Sequence, residues 1–174
     1  MKTIYLTGFM GSGKTTIGKL LGEALSLPVI DTDQFIEEKL NKSIREIFET
    51  EGEQKFREYE QHFLTLIPIV DKIVTTGGGI VLNKENREWM KKTGTVIYLH
   101  CEPEEIIKRL AGDHSRPLLD GDKKKNVLSI FEERTDFYND ADYKVDTTKK
   151  EPVEIVSEIV HLINQKILGN TSTN

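Results

Sequence analysis

The sequence has little of what marks secreted, membrane or nucleic-acid-binding proteins. Cys101 is its single cysteine, so a disulfide within the chain is excluded. No apolar run approaches the ~20 residues that cross a bilayer, and no basic-then-apolar leader opens the chain. The net charge is −5, with acidic and basic residues interspersed. We therefore expect a cytoplasmic protein that binds neither a membrane nor nucleic acid.

Metal-binding spacings of histidine and cysteine are also missing. The four histidines are scattered along the chain, and the only basic run, lysines 123–125, is more typical of a solvated loop than of a binding patch. A single domain of this size buries about 70% of the surface of its unfolded chain and needs no disulfide. We expect one domain over residues 1–168, followed by a disordered polar tail at 169–174.

What the chain does contain is a phosphate-binding pattern near its start. Residues 8–15 read Gly-Phe-Met-Gly-Ser-Gly-Lys-Thr, which fits G-x-x-x-x-G-K-[ST]. The run at 3–7 before it is typical of a buried strand, and the apolar residues after Lys14 recur at helical spacing. This strand–loop–helix context favours a nucleoside-triphosphate site over a plain glycine-rich turn. We assign the phosphates to Gly11, Ser12, Gly13, Lys14, Thr15 and Thr16, with Lys14 on the β- and γ-phosphates and the Thr15 hydroxyl on Mg²⁺.

Two carboxylates follow the second predicted strand, at 27–30. Ligands of open α/β sheets bind at the carboxyl ends of the strands, so Asp31 and Asp33 should lie near the phosphate loop. A turn follows the strand, and both side chains can therefore face one site. The alternative is that these residues only cap the next helix, where Asp is favoured.

Two further features suggest a second ligand. A helix predicted over about 53–67 carries an aromatic stripe that is most simply core, and Arg57 at its border is either a site residue or half of a surface ion pair. The third predicted strand, 73–76, runs into three glycines at 77–79. Successive glycines destabilise a fold through lost chain entropy, so we expect their backbone to approach a substrate closely, with a tight turn as the alternative.

Later segments complete the fold prediction. A loop at about 112–125 has no apolar period, and we interpret it as a mobile lid whose Arg116 swings onto the phosphates. A helix over about 127–138 carries Arg134. Strands alternate with helices along the whole chain, which predicts an α/β fold of three layers: a five-stranded parallel sheet with helices on both faces.

Taken together, the motifs resemble one family, the shikimate kinases. The resemblance covers nearly the whole chain in the family's order and spacing. It is carried by Gly-Phe-Met-Gly-Ser-Gly-Lys-Thr-Thr from Gly8, Asp-Thr-Asp from Asp31, Phe-Arg-x-x-Glu from Phe56, Gly-Gly-Gly from Gly77, Arg-Pro-Leu-Leu from Arg116, Glu-Arg-x-x-x-Tyr from Glu133 and Val-Asp-Thr from Val145. It implies the P-loop kinase fold of the nucleoside monophosphate kinases.

The resemblance also implies a reaction: transfer of the γ-phosphate of ATP to the 3-hydroxyl of shikimate, with Mg²⁺, in aromatic amino-acid biosynthesis. It places shikimate in a segment of about 32–60 and at later positions, on Asp33, Arg57, Gly78, Gly79 and Arg134. Two arginines suit a small acid with one carboxylate, because a guanidinium binds a carboxylate through two parallel hydrogen bonds.

The nucleotide side is assigned in the same way. Arg109 resembles the residue that stacks on adenine, and Lys149 stands where many relatives place an arginine near the base. Asp31 resembles the acid that holds Mg²⁺ through water beside Thr15. The catalytic set implied is Lys14, Asp33 and Arg116, with Arg116 as the lid arginine and Asp33 as either the base or the group that orients the hydroxyl. We expect a monomer that binds these two small molecules.

Two other functions compete with this interpretation. A second small-molecule kinase of the same fold, such as gluconate kinase, shares the phosphate loop but lacks the Asp-Thr-Asp, triple-glycine and Arg-Pro-Leu-Leu set. A non-catalytic ATP-binding regulatory module needs the loop but has no use for Asp33 as a base.

Overall fold

The computed structural model describes residues 1–111 and 123–171. The strands within these residues are β1 (Thr3–Thr7), β2 (Val29–Asp31), β3 (Ile73–Thr75), β4 (Gly94–His100) and β5 (Tyr143–Asp146). The helices there are α1 (Lys14–Leu25), α2 (Thr32–Leu40), α3 (Ile44–Thr50), α4 (Gly52–Leu66), α5 (Lys84–Thr93), α6 (Pro103–Arg109), α7 (Lys123–Asn139) and α8 (Pro152–Thr171), with a 3₁₀ turn at Ile80–Leu82.

The strands form one parallel sheet in the order β2-β3-β1-β4-β5. Ile4 of the central strand lies opposite Ile73 on one side and Thr95 on the other. The predicted five-stranded parallel sheet is confirmed. Because all strands point the same way, the segments that follow β1, β2, β3 and β5 leave the sheet at the same edge.

Both faces of the sheet are covered, as alternation along β1 shows. Tyr5 joins an apolar cluster with side chains of α4, α5, α6 and α7, whereas Ile4 and Leu6 join a cluster with α1 and α8 on the opposite face. The predicted three layers are therefore present. Cys101 is buried in the first of these clusters.

A third apolar cluster belongs to α2, α3 and α4 alone. Its buried members are Ile36, Ile47, Phe56 and Phe63. The aromatic stripe of α4 is thus core, as expected. Ser43 opens α3 with a capping box, in which its hydroxyl accepts from the Glu46 amide and the Glu46 carboxylate accepts from the Ser43 amide.

Several predicted boundaries are wrong for local reasons. The second strand is Val29–Asp31, because Leu27 is part of the turn that closes α1, where its amide donates to the Gly22 carbonyl at 2.9 Å. Helix α7 begins at Lys123, so lysines 123–125 form its first turn instead of closing the lid loop. Lysine is a good helix former, so these three residues are helical although the segment has no apolar period.

The C-terminal prediction also needs correction. Helix α8 runs to Thr171, so residues 169–171 are helical rather than part of a disordered tail. One glycine in a helix costs only about 1 kcal/mol, which does not end a helix by itself. The predicted lid, apart from 123–125, and residues 172–174 lie outside the described residues. Within the described part of the chain, no helix is both long enough and apolar enough to cross a bilayer.

Candidate active site

A cleft of about 460 Å³ opens at the carboxyl edge of the sheet. Its walls come from the carboxyl ends of the five strands and the segments that follow them. The predicted residues among its lining are Gly11, Ser12, Gly13, Lys14, Thr15, Thr16, Asp31, Asp33, Gly78 and Arg109. The fold therefore brings the phosphate loop, both aspartates and part of the glycine turn to one cavity.

The phosphate loop owes its shape to left-handed glycines. Gly11 has φ of 78° and Gly13 has φ of 98°, a region that side chains with a Cβ rarely enter. Gly13 is also the residue before the first turn of α1, and the Ser12 amide donates to the Phe9 carbonyl at 3.1 Å. The first amides of α1 have no partner within the helix, and they face the cleft with the positive end of the helix dipole.

Lys14 lies along this loop. Its Nζ donates to the carbonyl oxygens of Gly8 and Phe9, at 2.7 and 2.9 Å, and its side chain lines the cleft. The ammonium group is thus already held beside the amides that a phosphate group would contact.

Asp31 does two things at once. Its Oδ1 accepts from the amides of Asp33 and Gln34 at 3.0 and 3.2 Å, which is the capping that the sequence offered as an alternative. Its Oδ2 accepts from the Thr75 hydroxyl at 2.7 Å, and the carboxylate also lines the cleft. Capping and a place in the site are therefore compatible.

Two carboxylates lie against the glycine turn and leave little room beside its backbone. The Gly77 amide donates to the Thr32 hydroxyl at 2.9 Å. A Cβ placed on Gly77 would lie 2.6 Å from Asp33 Oδ1 and 2.9 Å from Glu60 Oε1. These two carboxylate oxygens thus converge on one point of the backbone, and glycine is the residue that leaves room for them.

Arg57 is held within α4 by two carboxylates. Its Nη1 donates to Glu60 Oε2 at 2.6 Å, and its Nη2 donates to Glu53 Oε1 at 3.0 Å. Burial opposes the charge of Arg57, but the two glutamates outweigh burial and raise the pKa of the guanidinium. A Cβ on Gly79 would overlap this guanidinium, so the turn and Arg57 are in direct contact.

Glu60 is the site residue that the sequence analysis missed. It is only 1% exposed, and Asp33, Arg57 and Arg134 all act on it electrostatically. Burial raises its pKa to about 7, against the two arginines, while Asp33 raises it further. The available signal was its position three residues after Arg57, which puts both side chains on one helix face.

Arg134 reaches the same cluster from α7. Its side chain is buried, and it interacts with Glu60 and with the hydroxyl of Tyr138. Within the described residues, Arg57 Nε, Arg134 Nε and Glu60 Oε1 are buried without a hydrogen-bond partner. Buried polar atoms are normally paired, so this concentration in one pocket marks a place for a polar ligand.

The remaining predicted nucleotide contacts fall in different places. Arg109 lines the cleft, where its Nη1 donates to the Gly11 carbonyl at 3.2 Å and its Nη2 to the Thr147 carbonyl at 3.4 Å. Lys149 is exposed in a left-handed turn and is absent from the lining, whereas Lys150 lines the cleft and pairs with Glu158 at 2.8 Å. Sequence alone did not distinguish the two lysines.

Thr147 is a second residue of this wall that was missed. It is buried after β5, and its hydroxyl lies within hydrogen-bond distance of the carbonyl oxygens of His100 and Ser12, at 2.8 and 3.2 Å. It thereby ties the end of the sheet to the phosphate loop. Arg116 lies outside the described residues.

The residues proposed for Mg²⁺ provide oxygen alone. Within the described part of the chain, no group of three or more His, Cys, Asp or Glu side chains has the arrangement of a metal site. The Thr15 hydroxyl and the Asp31 carboxylate line one cleft, and they fit an ion that prefers oxygen and keeps several waters.

A parallel sheet with a glycine-rich phosphate loop and an acid-and-arginine pocket at its carboxyl edge defines a P-loop phosphotransferase. Residues 10–164 match the family model described as shikimate kinase. A shikimate kinase of Bacillus cytotoxicus is 52% identical over 164 residues, which cover 94% of this chain and 99% of that protein. The chain belongs to the shikimate kinase family, and its activity is that of an ATP-dependent kinase.

Solved structures agree with this assignment. A shikimate kinase from Acinetobacter baumannii, solved in complex with shikimate, superposes with a TM-score of 0.90 at 34% identity, covering 95% of this chain and 94% of that one. A gluconokinase from Sinorhizobium meliloti has a TM-score of 0.64 at 16% identity, covering 99% and 97%. That second likeness shows a shared fold alone.

Proposed function

We propose that this chain transfers the γ-phosphate of ATP to the 3-hydroxyl of shikimate, giving shikimate 3-phosphate and ADP for aromatic amino-acid biosynthesis. One observation carries the proposal: Asp33 lines the phosphate-loop cleft and also meets, at Gly77, the buried pocket of Glu60 and Arg57. A phosphate donor and a small acid bound on the two sides would therefore meet at the Asp33 carboxylate.

In this proposal the acceptor pocket binds a ring acid through charge and backbone groups. Arg57 and Arg134 bind the carboxylate, and the Gly78–Gly79 turn contributes main-chain groups. The unpartnered Nε atoms of both arginines support this assignment, because each needs an acceptor that the protein does not provide. Glu60 holds Arg57 in place by the 2.6 Å ion pair.

The chemistry falls to groups at the boundary between the two sites. Asp33 orients the attacking hydroxyl and accepts its proton as the oxygen–phosphorus bond forms and the bond to ADP breaks. Lys14 neutralises charge on the transferring phosphoryl group, together with the loop amides and the lid residue Arg116. Phosphoryl transfer has a loose transition state, so positioning contributes more than base strength.

The nucleotide itself is assigned to the loop and to one wall of the cleft. Gly11, Ser12, Gly13, Lys14, Thr15 and Thr16 bind its phosphates, and Arg109 stacks on the base, with Lys149 as a further predicted contact. Thr15 would ligate Mg²⁺ directly and Asp31 through water. When bound, the ion supplies charge neutralisation across the β- and γ-phosphates.

A coupled ADP-release assay tests the proposal. With Mg-ATP present, we expect shikimate to start ADP formation, and gluconate or a nucleoside monophosphate to leave the background unchanged. Turnover of gluconate instead would favour the sugar-acid kinase. ATP binding without any acceptor-dependent ADP release would favour the regulatory module.

Asp33→Asn separates chemistry from nucleotide binding. The substitution keeps the size of the side chain, but it replaces one acceptor oxygen with an NH2 donor and removes the negative charge and the proton-accepting group. We expect turnover to fall by about 10²-fold or more, while the dissociation constant for ATP changes less than about twofold. Unchanged turnover in the same assay would remove Asp33 from the chemistry.

The proposal also covers the oligomeric state, the partners and the compartment. We infer a monomer that acts on two small molecules in the cytoplasm, without nucleic acid or membrane. The net charge of −5 supports the absence of a nucleic-acid partner. Light scattering behind a sizing column tests the monomer, for which we expect the mass of one 19.9 kDa chain.

A further inference from the structure

Tyr138 lies behind the glycine turn and takes no part in the proposed chemistry. It is 1% exposed, and its hydroxyl donates to the carbonyl oxygen of Gly78. Its ring stacks on Tyr98 with centroids 5.1 Å apart and an angle of 12° between the planes. A tyrosine hydroxyl so deeply buried needs a specific partner, and here that partner is the backbone of the turn.

The hydrogen bond from Tyr138 to this carbonyl also orients the amide of Gly79. The Gly78 carbonyl and the Gly79 N–H belong to one planar peptide unit, and the described peptide bonds are all trans. When the carbonyl points to Tyr138, the N–H must point to the opposite side of the turn. Gly79 in turn lies against the Arg57 guanidinium, so the same unit also sets how close the backbone comes to Arg57.

The tyrosine contacts the other arginine too. Tyr138 follows Arg134 by four residues on α7, which stacks the two side chains on one face of the helix. Burial raises the pKa of Tyr138 to about 12, and the positive charge of Arg134 partly offsets that effect. The hydroxyl donates to Gly78, and Arg134 acts on it electrostatically, so it lies between two walls of the acceptor pocket.

We propose that Tyr138 is a positioning residue for the acceptor acid. Through its hydroxyl it sets the direction of the Gly78–Gly79 peptide and the distance of the turn from Arg134. The inference rests on the proposed function, since it assigns a role within the acceptor site of that reaction. It concerns the acceptor side, because the hydroxyl of Tyr138 donates to the glycine turn and lies under the electrostatic influence of Arg134.

Two matched substitutions test it. Tyr138→Phe removes the hydroxyl and keeps the stacked ring. Tyr98→Phe removes the hydroxyl of the other ring in the stack, which lies 3.0 Å from His100 Nδ1. We expect Tyr138→Phe to raise KM for shikimate about tenfold, the equivalent of one lost hydrogen bond, and to change KM for ATP less than twofold. Tyr98→Phe should keep both constants within twofold.

Each result decides one question. A wild-type protein that fails to turn over shikimate contradicts the proposed function, whatever the variants do. If the wild type is active and both variants behave alike, or if Tyr138→Phe raises both Michaelis constants equally, the positioning role is wrong. Thermal unfolding with and without shikimate keeps the test decisive even if a variant is less stable. A positioning role requires that Tyr138→Phe reduces the rise in melting temperature caused by shikimate. A purely structural role leaves that rise unchanged.

Discussion

Arg57 shows how a charged residue can be buried and still leave one hydrogen-bond donor for a ligand. Glu60 and Glu53 already pair with its two terminal nitrogens, so desolvation is offset before any substrate arrives. Its Nε is the atom left without a partner. The ion pair that the sequence offered as an alternative therefore exists, and it orients the guanidinium toward the pocket.

Arg57→Ala tests this use of the charge. We expect KM for shikimate to rise about 10- to 100-fold, because a charge-assisted hydrogen bond to a carboxylate is lost, while KM for ATP stays within about threefold. Steady-state kinetics with each substrate varied in turn gives both constants. Arg45→Ala on α3 is the control, since Arg45 is exposed and pairs with Glu49. Equal effects on the two substrates would contradict the carboxylate clamp.

The raised pKa of Glu60 predicts that the stability of the protein depends on pH. Its folded-state pKa lies near 7, above the ordinary value for glutamate, so the folded protein binds a proton more tightly than the unfolded chain. Stability from this group is then fully present at low pH and declines as the pH rises from about 4.5 to about 7, by on the order of 1–3 kcal/mol.

Glu60→Gln should remove this decline. Urea unfolding between pH 5 and pH 8 would show the variant gaining stability relative to the wild type as the pH rises. Glu58→Gln on the same helix is the control, because Glu58 is exposed and pairs with Lys55. A Glu60→Gln variant whose difference from the wild type is constant across this range would contradict the raised pKa.

At the scale of elements, the glycine turn after β3 explains why two neighbouring glycines are not equivalent. A Cβ on Gly79 would overlap the Arg57 guanidinium, whereas a Cβ on Gly78 would lie 3.5 Å from the Met10 amide nitrogen, an ordinary contact. The turn is therefore crowded on the arginine side and open on the side of the phosphate loop.

Gly79→Ala should accordingly be the worse of two substitutions. We expect it to destabilise the protein by about 1–3 kcal/mol, because the new methyl group must displace Arg57. It should also raise KM for shikimate. Gly78→Ala, the matched comparison, should cost clearly less stability. Thermal unfolding of both variants decides the point, and equal losses would mean that Arg57 moves aside at no cost.

At the scale of the whole molecule, α2, α3 and one face of α4 form a core of their own, while Leu64 joins α4 to the main core. Their buried residues Ile36, Ile47, Phe56 and Phe63 pack with one another, while the two larger clusters cover the faces of the sheet. Segments with a small core of their own open at lower free energy than central strands. These helices nevertheless carry Asp33, Arg57 and Glu60, so opening them disassembles the acceptor pocket.

Hydrogen exchange measures this difference. We expect amides of α2, α3 and α4 to exchange faster than those of β1 and β4 in the free protein. Shikimate should slow exchange in these helices more than in α8, because at the proposed site it would link α4 to α7 and to the glycine turn. Uniform slowing over the whole chain would indicate that the helices do not open separately.

Much of this architecture could be predicted from local sequence. Short β-branched runs that alternate with amphipathic helices predict a parallel sheet, because such strands must be covered on both faces. The phosphate loop is equally local, since its function depends on backbone conformation within eight consecutive residues. The capping residues Ser43 and Asn83 belong to the same class, because each bonds an amide two or three residues ahead.

Contacts between distant segments could not be predicted in this way. Only the packing of α4 beside the turn after β3 brings Glu60 to Gly77, only α7 brings Tyr138 to Gly78, and only the turn after β5 decides that Lys150 and not Lys149 lines the cleft. The physical reason is that local sequence determines backbone preference and apolar period, whereas burial and the pKa of a carboxylate depend on neighbours tens of residues away. The sequence by itself determined the strands, the phosphate loop and the family; the tertiary structure decided which side chains meet around the acceptor.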